Sequence, residues 1–314
     1  MEITETMNAN ALSLDLPDTL GQSDNWQTLT RDWSHFSVYA SEPYLRESIA
    51  DADAVLGKYL QGFTQRYASI LIKPDAIVGR RATLIWDYLR DHGFRIVQAM
   101  PFQFDRLMVR ELWRYSMNIS TNAKFALVDS IHAASQSIYL LLEDQTPECA
   151  AGSATVRLHH LKGSAFASER SRNSIRSVAK SPNEMLVLVH TPDEPLEMLR
   201  EIGLLFDHEN RKNLFESALH MLDENVAQQR EEIASIIAQI ESSTPVHELD
   251  LKISTARLRE HFSTPPENLS PNEIWERIIQ TSWSSKDSTA FWDSIMVGSS
   301  VIDLSIAGMR KLIE

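Results

Sequence analysis

Residues Tyr67–Ile77 read YASILIKPDAI. The apolar run Tyr67 to Ile72 has the length of a buried strand, and it stops abruptly at Lys73-Pro74-Asp75. Pro74 cannot donate to a sheet ladder, so the strand must end there. That puts Lys73 at the carboxyl end of a strand, facing the kind of crevice in which α/β proteins hold ligands. It can meet a phosphate there, or simply carry its charge to solvent.

Working outward, short strands alternate with helices. Ala82 to Asp91 places Leu84, Ile85, Tyr88 and Leu89 on one helical face, and Gly93 stops it. Phe94 to Met100 reads as a second strand, the helical stretches FDRLMVRELWRY and NAKFALVDSIHAA follow, and SIYLLLE is a third strand. ATVRLHHLKG is a further helix, MLVLVH a fourth strand ending at His190, and Glu194 to Phe206 another helix. This order predicts an α+β fold, a ferredoxin-like antiparallel sheet with packed helices, plus an all-helical C-terminal extension.

Upstream, residues 1–24 read as a polar tail, and a helix is expected from Glu42, with Pro43 in its first turn and Leu45, Ile49, Ala52, Leu56 and Leu60 at helical spacing. Downstream, Phe215, Leu219, Leu222, Val226, Gln229, Ile233, Ile236 and Ile240 make a heptad seam on one long helix, packed on its own domain or pairing with a second copy. Ser270, Pro271 and Glu273 form a capping box that starts another helix. The expected division is a tail and helical appendage over 1–66, a central domain over 67–207 and a helical C-terminal domain over 208–314.

The chain has 314 residues, 43% hydrophobic, with formal net charge −13 and pI near 5.3. Such a chain builds a real core, and its field repels polyanions, so nucleic acid is not expected as a partner. Cys149 is the only cysteine, which excludes an intramolecular disulfide and any cysteine-rich zinc site. No apolar run reaches membrane-spanning length and MEITETMNAN lacks the features of a leader, so a cytoplasmic protein is expected.

His190 closes an apolar strand, and Thr191-Pro192-Asp193-Glu194 reads as a capping box that starts a helix at once, with backbone N–H groups beside the imidazole. Eleven residues beyond His190, Glu201 lies about two turns into that helix. A carboxylate on one ring nitrogen leaves the other as a nucleophile. The bland alternative is a histidine that only ends a strand.

Taken together, ILIKPDAI, the helix and HGFRIV after it, and VHTPDEPLEMLREIGLLF resemble the nucleoside diphosphate kinase family over about Tyr67 to Phe206. The resemblance implies a phosphotransferase that moves the γ-phosphoryl of a nucleoside triphosphate such as ATP through phospho-His190 to a nucleoside diphosphate or another small-molecule acceptor. It further implies that Lys73 contacts the transferring phosphate, Glu201 orients the histidine, Arg176 and Tyr115 lie at the phosphates, and Mg²⁺ accompanies the nucleotide. His159, or else Arg157, takes the region of a second phosphate-binding arginine. Departures from the pattern concern the nucleoside: Val187 replaces a ribose-binding asparagine, Ala165 a threonine, and Lys124 a base-stacking aromatic for which Phe125 is the substitute. Thr191 and Pro192 replace the glycine and serine after the histidine. The alternative is a catalytically degenerate nucleotide-binding scaffold or regulatory module that uses its helical extensions to assemble. The family's assemblies and the heptad helix lead to the expectation of a homo-oligomer.

The remaining candidates are weaker. Adjacent His159 and His160 do not share a helical face, so no metal site is assigned. Asp51 and Asp53 read as a solvated helix face, His92 as a helix C-terminus, and Trp275, Trp283 and Trp292 as core or interface anchors. Cys149 receives no catalytic role.

Overall fold

The structure is a computed structural model that describes residues 25–146, 152–220, 226–261, 270, 273, 276 and 289–313. Cys149, Leu222, Trp275 and Trp283 lie outside the described residues.

Four strands, β1 (Tyr67–Ile72), β2 (Phe94–Phe102), β3 (Ser137–Asp144) and β4 (Val189–His190), form one sheet in the order β2-β3-β1-β4, with every neighbouring pair antiparallel. This is the order the alternating strands and helices predict. β1 and β3, buried from end to end apart from Tyr67 and Glu143, are the central strands, as their unbroken apolar sequences require. β2 carries Pro101 because it is an edge strand, where a missing N–H costs no ladder bond.

The Ala82–Asp91 helix has the predicted bounds, and Ala154–Lys162 ends at Gly163 with φ +83°. The predicted fourth strand is shorter than MLVLVH. Leu188 takes φ +65°, a left-handed conformation that an L side chain adopts only under outside constraint, so only Val189 and His190 pair with β1. The helix expected over Glu194 to Phe206 spans Pro195–Leu205 with Glu194 as its N-cap residue, so it does not begin immediately after His190 as the Thr191–Glu194 capping box predicts. Thr191 does not cap it. Glu194 is drawn to the N-terminal appendage, accepting from Thr30 Oγ1 (2.5 Å) and Arg31 N (3.0 Å).

Leu45, Ile49, Ala52 and Leu56 of the Pro43–Leu56 helix and Leu60 just after it are all buried, the helix packing on Pro195–Leu205. The two backbones approach so closely that a Cβ built on Gly203 would lie 1.9 Å from Tyr44 O. Asp51 is not on a solvated face. It is buried and ion-paired to Arg211 (2.6 Å) and His208 (2.8 Å), which tie the next helix, His208–His220, to the appendage.

The heptad stretch contains helices His208–His220 and Val226–Ser242. Ile233, Ile237 and Ile240 are buried against the chain's own Pro74–Val78 and Ala82–Asp91 helices and β2, as packing on its own domain requires. Ser270 and Glu273 make the reciprocal capping bonds, Ser270 N to Glu273 Oε2 at 2.8 Å and Glu273 N to Ser270 Oγ at 3.3 Å. Trp292 is a core anchor of the Thr289–Val301 helix, which packs on Leu251–His261 and Asn122–Ala133. Beyond Val301 the described chain has no helix, turns at Gly308 and meets Ser120 through a bridge at Ser305.

Candidate functional site

The Lys73-Pro74-Asp75 turn and the strained entry to β4 hold each other. Lys73 N donates to Leu188 O (3.0 Å), and Leu188 N donates to Oδ2 of the fully buried Asp75 (2.8 Å). The strain at Leu188 is thereby fixed two residues before His190. Such strain persists only where the surroundings over-determine it.

His190 Nε2 lies 2.6 Å from Oε1 of Glu201, a fully buried residue on the Pro195–Leu205 helix. The other carboxyl oxygen, Oε2, is buried with no partner among the described residues, and so is Thr191 Oγ1. Trp113 stands edge-on to the imidazole with ring centroids 5.4 Å apart and makes a similar contact with buried His132 at 5.2 Å. Burial and then Lys162 push His190 down to about 3, so its imidazole is neutral near pH 7. Burial raises Glu201 to about 8 against the pull of Arg200.

Three buried cations lie at the cavities that His190 borders. Buried Lys73 has Nζ 3.7 Å from Asp75 Oδ2, and burial lowers its pKa. Buried Arg176 donates to Gly163 O (2.7 Å) and Val189 O (3.2 Å), while its Nε is buried without a partner among the described residues. Lys162, also buried, donates to Thr191 O (3.1 Å) and Asp193 Oδ1 (3.3 Å). His159 Nδ1 is 2.5 Å from the same Asp193 oxygen. Although burial pulls Asp193 upward, His159 and Lys162 hold it well below the usual carboxylate range.

His190 borders two cavities, with Trp113 and Ser116 on the wall of both. The smaller, about 180 Å³, has a largely apolar wall that carries Lys73, Lys124 and Arg176 with one carboxylate, Glu184, and is also lined by His132 and Val187. The larger, about 480 Å³, mixes Arg31, His35, Tyr115, His159, Lys162 and Lys311 with Asp32, Asp193, Glu194 and Glu197. Burial and then Glu201 raise Glu197 to about 7.

Of the residues singled out in the sequence, His190, Glu201, Lys73, Arg176, His159 and Tyr115 all reach the pair or one of its cavities. The Tyr115 hydroxyl is engaged, donating to Glu42 of the appendage. Phe125 borders neither cavity and instead lies under the Arg110 guanidinium, 4.5 Å from its ring centroid. Lys162, Trp113, Asp75 and Glu197 were not singled out. Lys162 alone left a local signal, as the last residue of a helix closed by Gly163. Among the described residues, no group of three or more His, Cys, Asp or Glu is arranged to hold a metal ion. Among the described residues, no helix is long and apolar enough to cross a membrane.

Chemically, a neutral imidazole held by a buried carboxyl at one nitrogen, with cations on the walls of its cavities, can attack an electrophile whose developing charge is negative.

No protein-family model and no curated protein matches the chain. Among solved structures it is similar to a nucleoside diphosphate kinase from Aquifex aeolicus, with 22% identity and TM-score 0.37 over 45% of this chain and 95% of that one. A halophilic nucleoside diphosphate kinase from Halobacterium salinarum in complex with CDP has 19% identity and TM-score 0.36, over 46% and 88%. An NDP kinase from Pyrobaculum aerophilum has 16% identity and TM-score 0.36, over 46% and 97%.

Proposed function

We propose that this chain is a phosphotransferase of the nucleoside diphosphate kinase type, passing the γ-phosphoryl of a nucleoside triphosphate through phospho-His190 to an acceptor. The observation that carries the reading is the 2.6 Å contact between His190 Nε2 and buried Glu201, with Lys162 bonded to the neighbouring Thr191 O and Lys73 and Arg176 on the wall of a cavity that His190 borders. With Nε2–H donated to the carboxylate, the Nδ1 lone pair attacks the γ-phosphorus. The N–P bond forms as the bond to the diphosphate oxygen breaks, and the cations neutralise charge on the equatorial oxygens. In the second half-reaction the acceptor oxygen takes the phosphoryl group and the electron pair returns to Nδ1.

Mg²⁺ fits this site as a companion of the phosphates. Glu194 is engaged by Thr30, Arg31 and His35, Glu197 by Asp193 N (2.6 Å), and Asp193 by Lys162 and His159, so phosphate oxygens and water would supply most of its ligands. The ion would offset phosphate charge.

A second reading, a nucleotide-binding module without turnover, draws on the internal engagement of Tyr115 by Glu42 and of Lys73 by Asp75, and on Val187 where an amide would grip ribose. Incubation with γ-labelled ATP and Mg²⁺ separates the two. Acid-labile, base-stable label on the protein, absent from His190→Ala, supports the phosphotransferase. Nucleotide binding without label supports the module. Chasing the label with nucleoside diphosphates or water then identifies the acceptor class.

A further inference from the structure

The segment Ile302–Ile313 crosses the part of the chain that walls both cavities. Every bond that seats it involves its main chain: Thr121 Oγ1 to Asp303 O (2.6 Å), Ile306 N to Ile119 O (2.7 Å), Asn118 Nδ2 to Arg310 O (2.8 Å), and Leu312 N to Tyr115 O (2.9 Å). Its apolar burial is partial: Ile302, Leu304 and Ile313 pack against the core, while Ile306 and Met309 are 46% exposed and Leu312 66%. A segment seated by a few surface hydrogen bonds and only partial apolar burial opens at lower free-energy cost than the packed core.

Yet this segment carries Lys311 and Ile313 onto the wall of the larger cavity, beside His190. On the facing element, Lys124 borders the smaller cavity. Neither lysine has a carboxylate partner among the described residues, and the two are close enough that, after burial, Lys311 is what lowers Lys124. Their mutual repulsion, with Glu184 as the carboxylate on the wall of the smaller cavity, acts against the seat of the segment. An anion that reaches both reverses the sign of that interaction.

We propose that residues 302–313 form a polyphosphate-operated strap: a nucleoside triphosphate or other polyphosphate at His190 is gripped by Lys311 from the strap and Lys124 from the helix beneath it, which locks the strap in place. This rests on the reading of the His190 site as a polyphosphate site. Coupling is reciprocal, so the factor by which the ligand holds the strap closed equals the factor by which the closed strap tightens ligand binding. Nucleotide contacts altered in the core, such as Val187, are thereby offset from a peripheral element.

The test is hydrogen exchange on the full chain with saturating inorganic tripolyphosphate and, separately, ATP with Mg²⁺, reading the amides of Ile306 and Leu312. Saturation is set by calorimetry. The ligand is expected to slow both amides about fivefold or more, the usual lower bound for such coupling. Lys311→Gln and Lys124→Gln lose that slowing, and Leu312→Pro, which removes the Leu312–Tyr115 bond, weakens tripolyphosphate binding by a similar factor. Amides unmoved at saturation, undiminished affinity in Lys311→Gln, or no tripolyphosphate binding at all would overturn the strap. Strap closure without label on His190 sinks only the phosphotransferase, whereas label without closure sinks only the strap.

Discussion

Glu201 Oε1 lies 2.6 Å from His190 Nε2; the carboxyl is fully buried on the Pro195–Leu205 helix, while the imidazole, edge-on to Trp113, is 14% exposed. Under the proposed reading, this contact selects the ring nitrogen that attacks. Glu201→Gln keeps the volume but removes the carboxylate, and misorientation of this kind costs on the order of 100-fold in rate. Single-turnover labelling with γ-labelled ATP is expected to slow by that factor while calorimetric ATP affinity stays near the parent value. Loss of binding instead would assign Glu201 to the ligand.

The same pair predicts a pH profile. With its carboxyl protonated, Glu201 donates to Nε2, the imidazole's hydrogen sits on Nδ1, and the nucleophile is blocked. Deprotonation frees Nδ1. Because burial raises Glu201 to about 8 and lowers His190 to about 3, the labelling rate is expected to climb from pH 6, pass half its maximum near pH 8 and level off about a unit above that. Glu201→Gln should flatten this limb. A rate limb centred near the ordinary histidine value of about 6.5 would place the controlling titration on a solvated imidazole.

Gly203 is where the appendage meets the core. A Cβ there falls 1.9 Å from Tyr44 O and 3.1 Å from Ser48 Cβ, and the first neighbour is backbone that cannot swing aside. Gly203→Ala is therefore expected to destabilise the protein by about 1 to 3 kcal/mol despite alanine's better helix propensity. Urea unfolding measures it, and a neutral or stabilised variant would mean that the two helices do not pack this closely in solution.

Arg200 and Glu42 form an ion pair with Nε–Oε2 at 2.5 Å, Arg200 being fully buried. Removing one partner strands the other. Glu42→Ala is expected to cost about 3 to 5 kcal/mol, whereas replacing both residues by apolar ones of similar volume costs far less. Thermal unfolding of the single and double variants tests this, and equal losses would contradict it.

Histidine burial sets the response to acid. His132 is buried, donates from Nδ1 to Val128 O (2.8 Å), and has its pKa lowered by burial, then Lys73, to about 3. The unfolded chain takes up its proton near 6.5 while the folded one does not until about 3, so this stability is fully present above 6.5 and falls as pH drops through that window. The slope is about 1.4 kcal/mol per pH unit for each such histidine. Denaturant unfolding between pH 7 and 4 is expected to show it, with a shallower slope in His132→Asn.

The sheet was largely legible because its signals are short-ranged. The apolar run Tyr67–Ile72 and the amphipathic stretch Ala82–Asp91 have the predicted bounds, and the strand and helix order specified an antiparallel sheet before any contact was known. MLVLVH was misread since the turn at Leu188 is imposed by Asp75, 113 residues earlier, against the residue's own preference. Thr191 to Glu194 was misread because Glu194 finds better partners in Thr30 and His35, 164 and 159 residues away, than in its own helix.

The site divides the same way. Sequence by itself determined that a histidine ends a strand, that Glu201 follows at a spacing able to reach it, and that Lys73 sits at another strand's end. Only the tertiary structure decided that Lys162 lies beside the imidazole, that Glu42 takes the Tyr115 hydroxyl, and that Lys311 arrives from the far C-terminal segment. Local periodicity and turn chemistry act over a few residues and leave a mark in the chain. Burial, which sets the charge states and hydrogen bonds of these side chains, exists only after distant segments have packed.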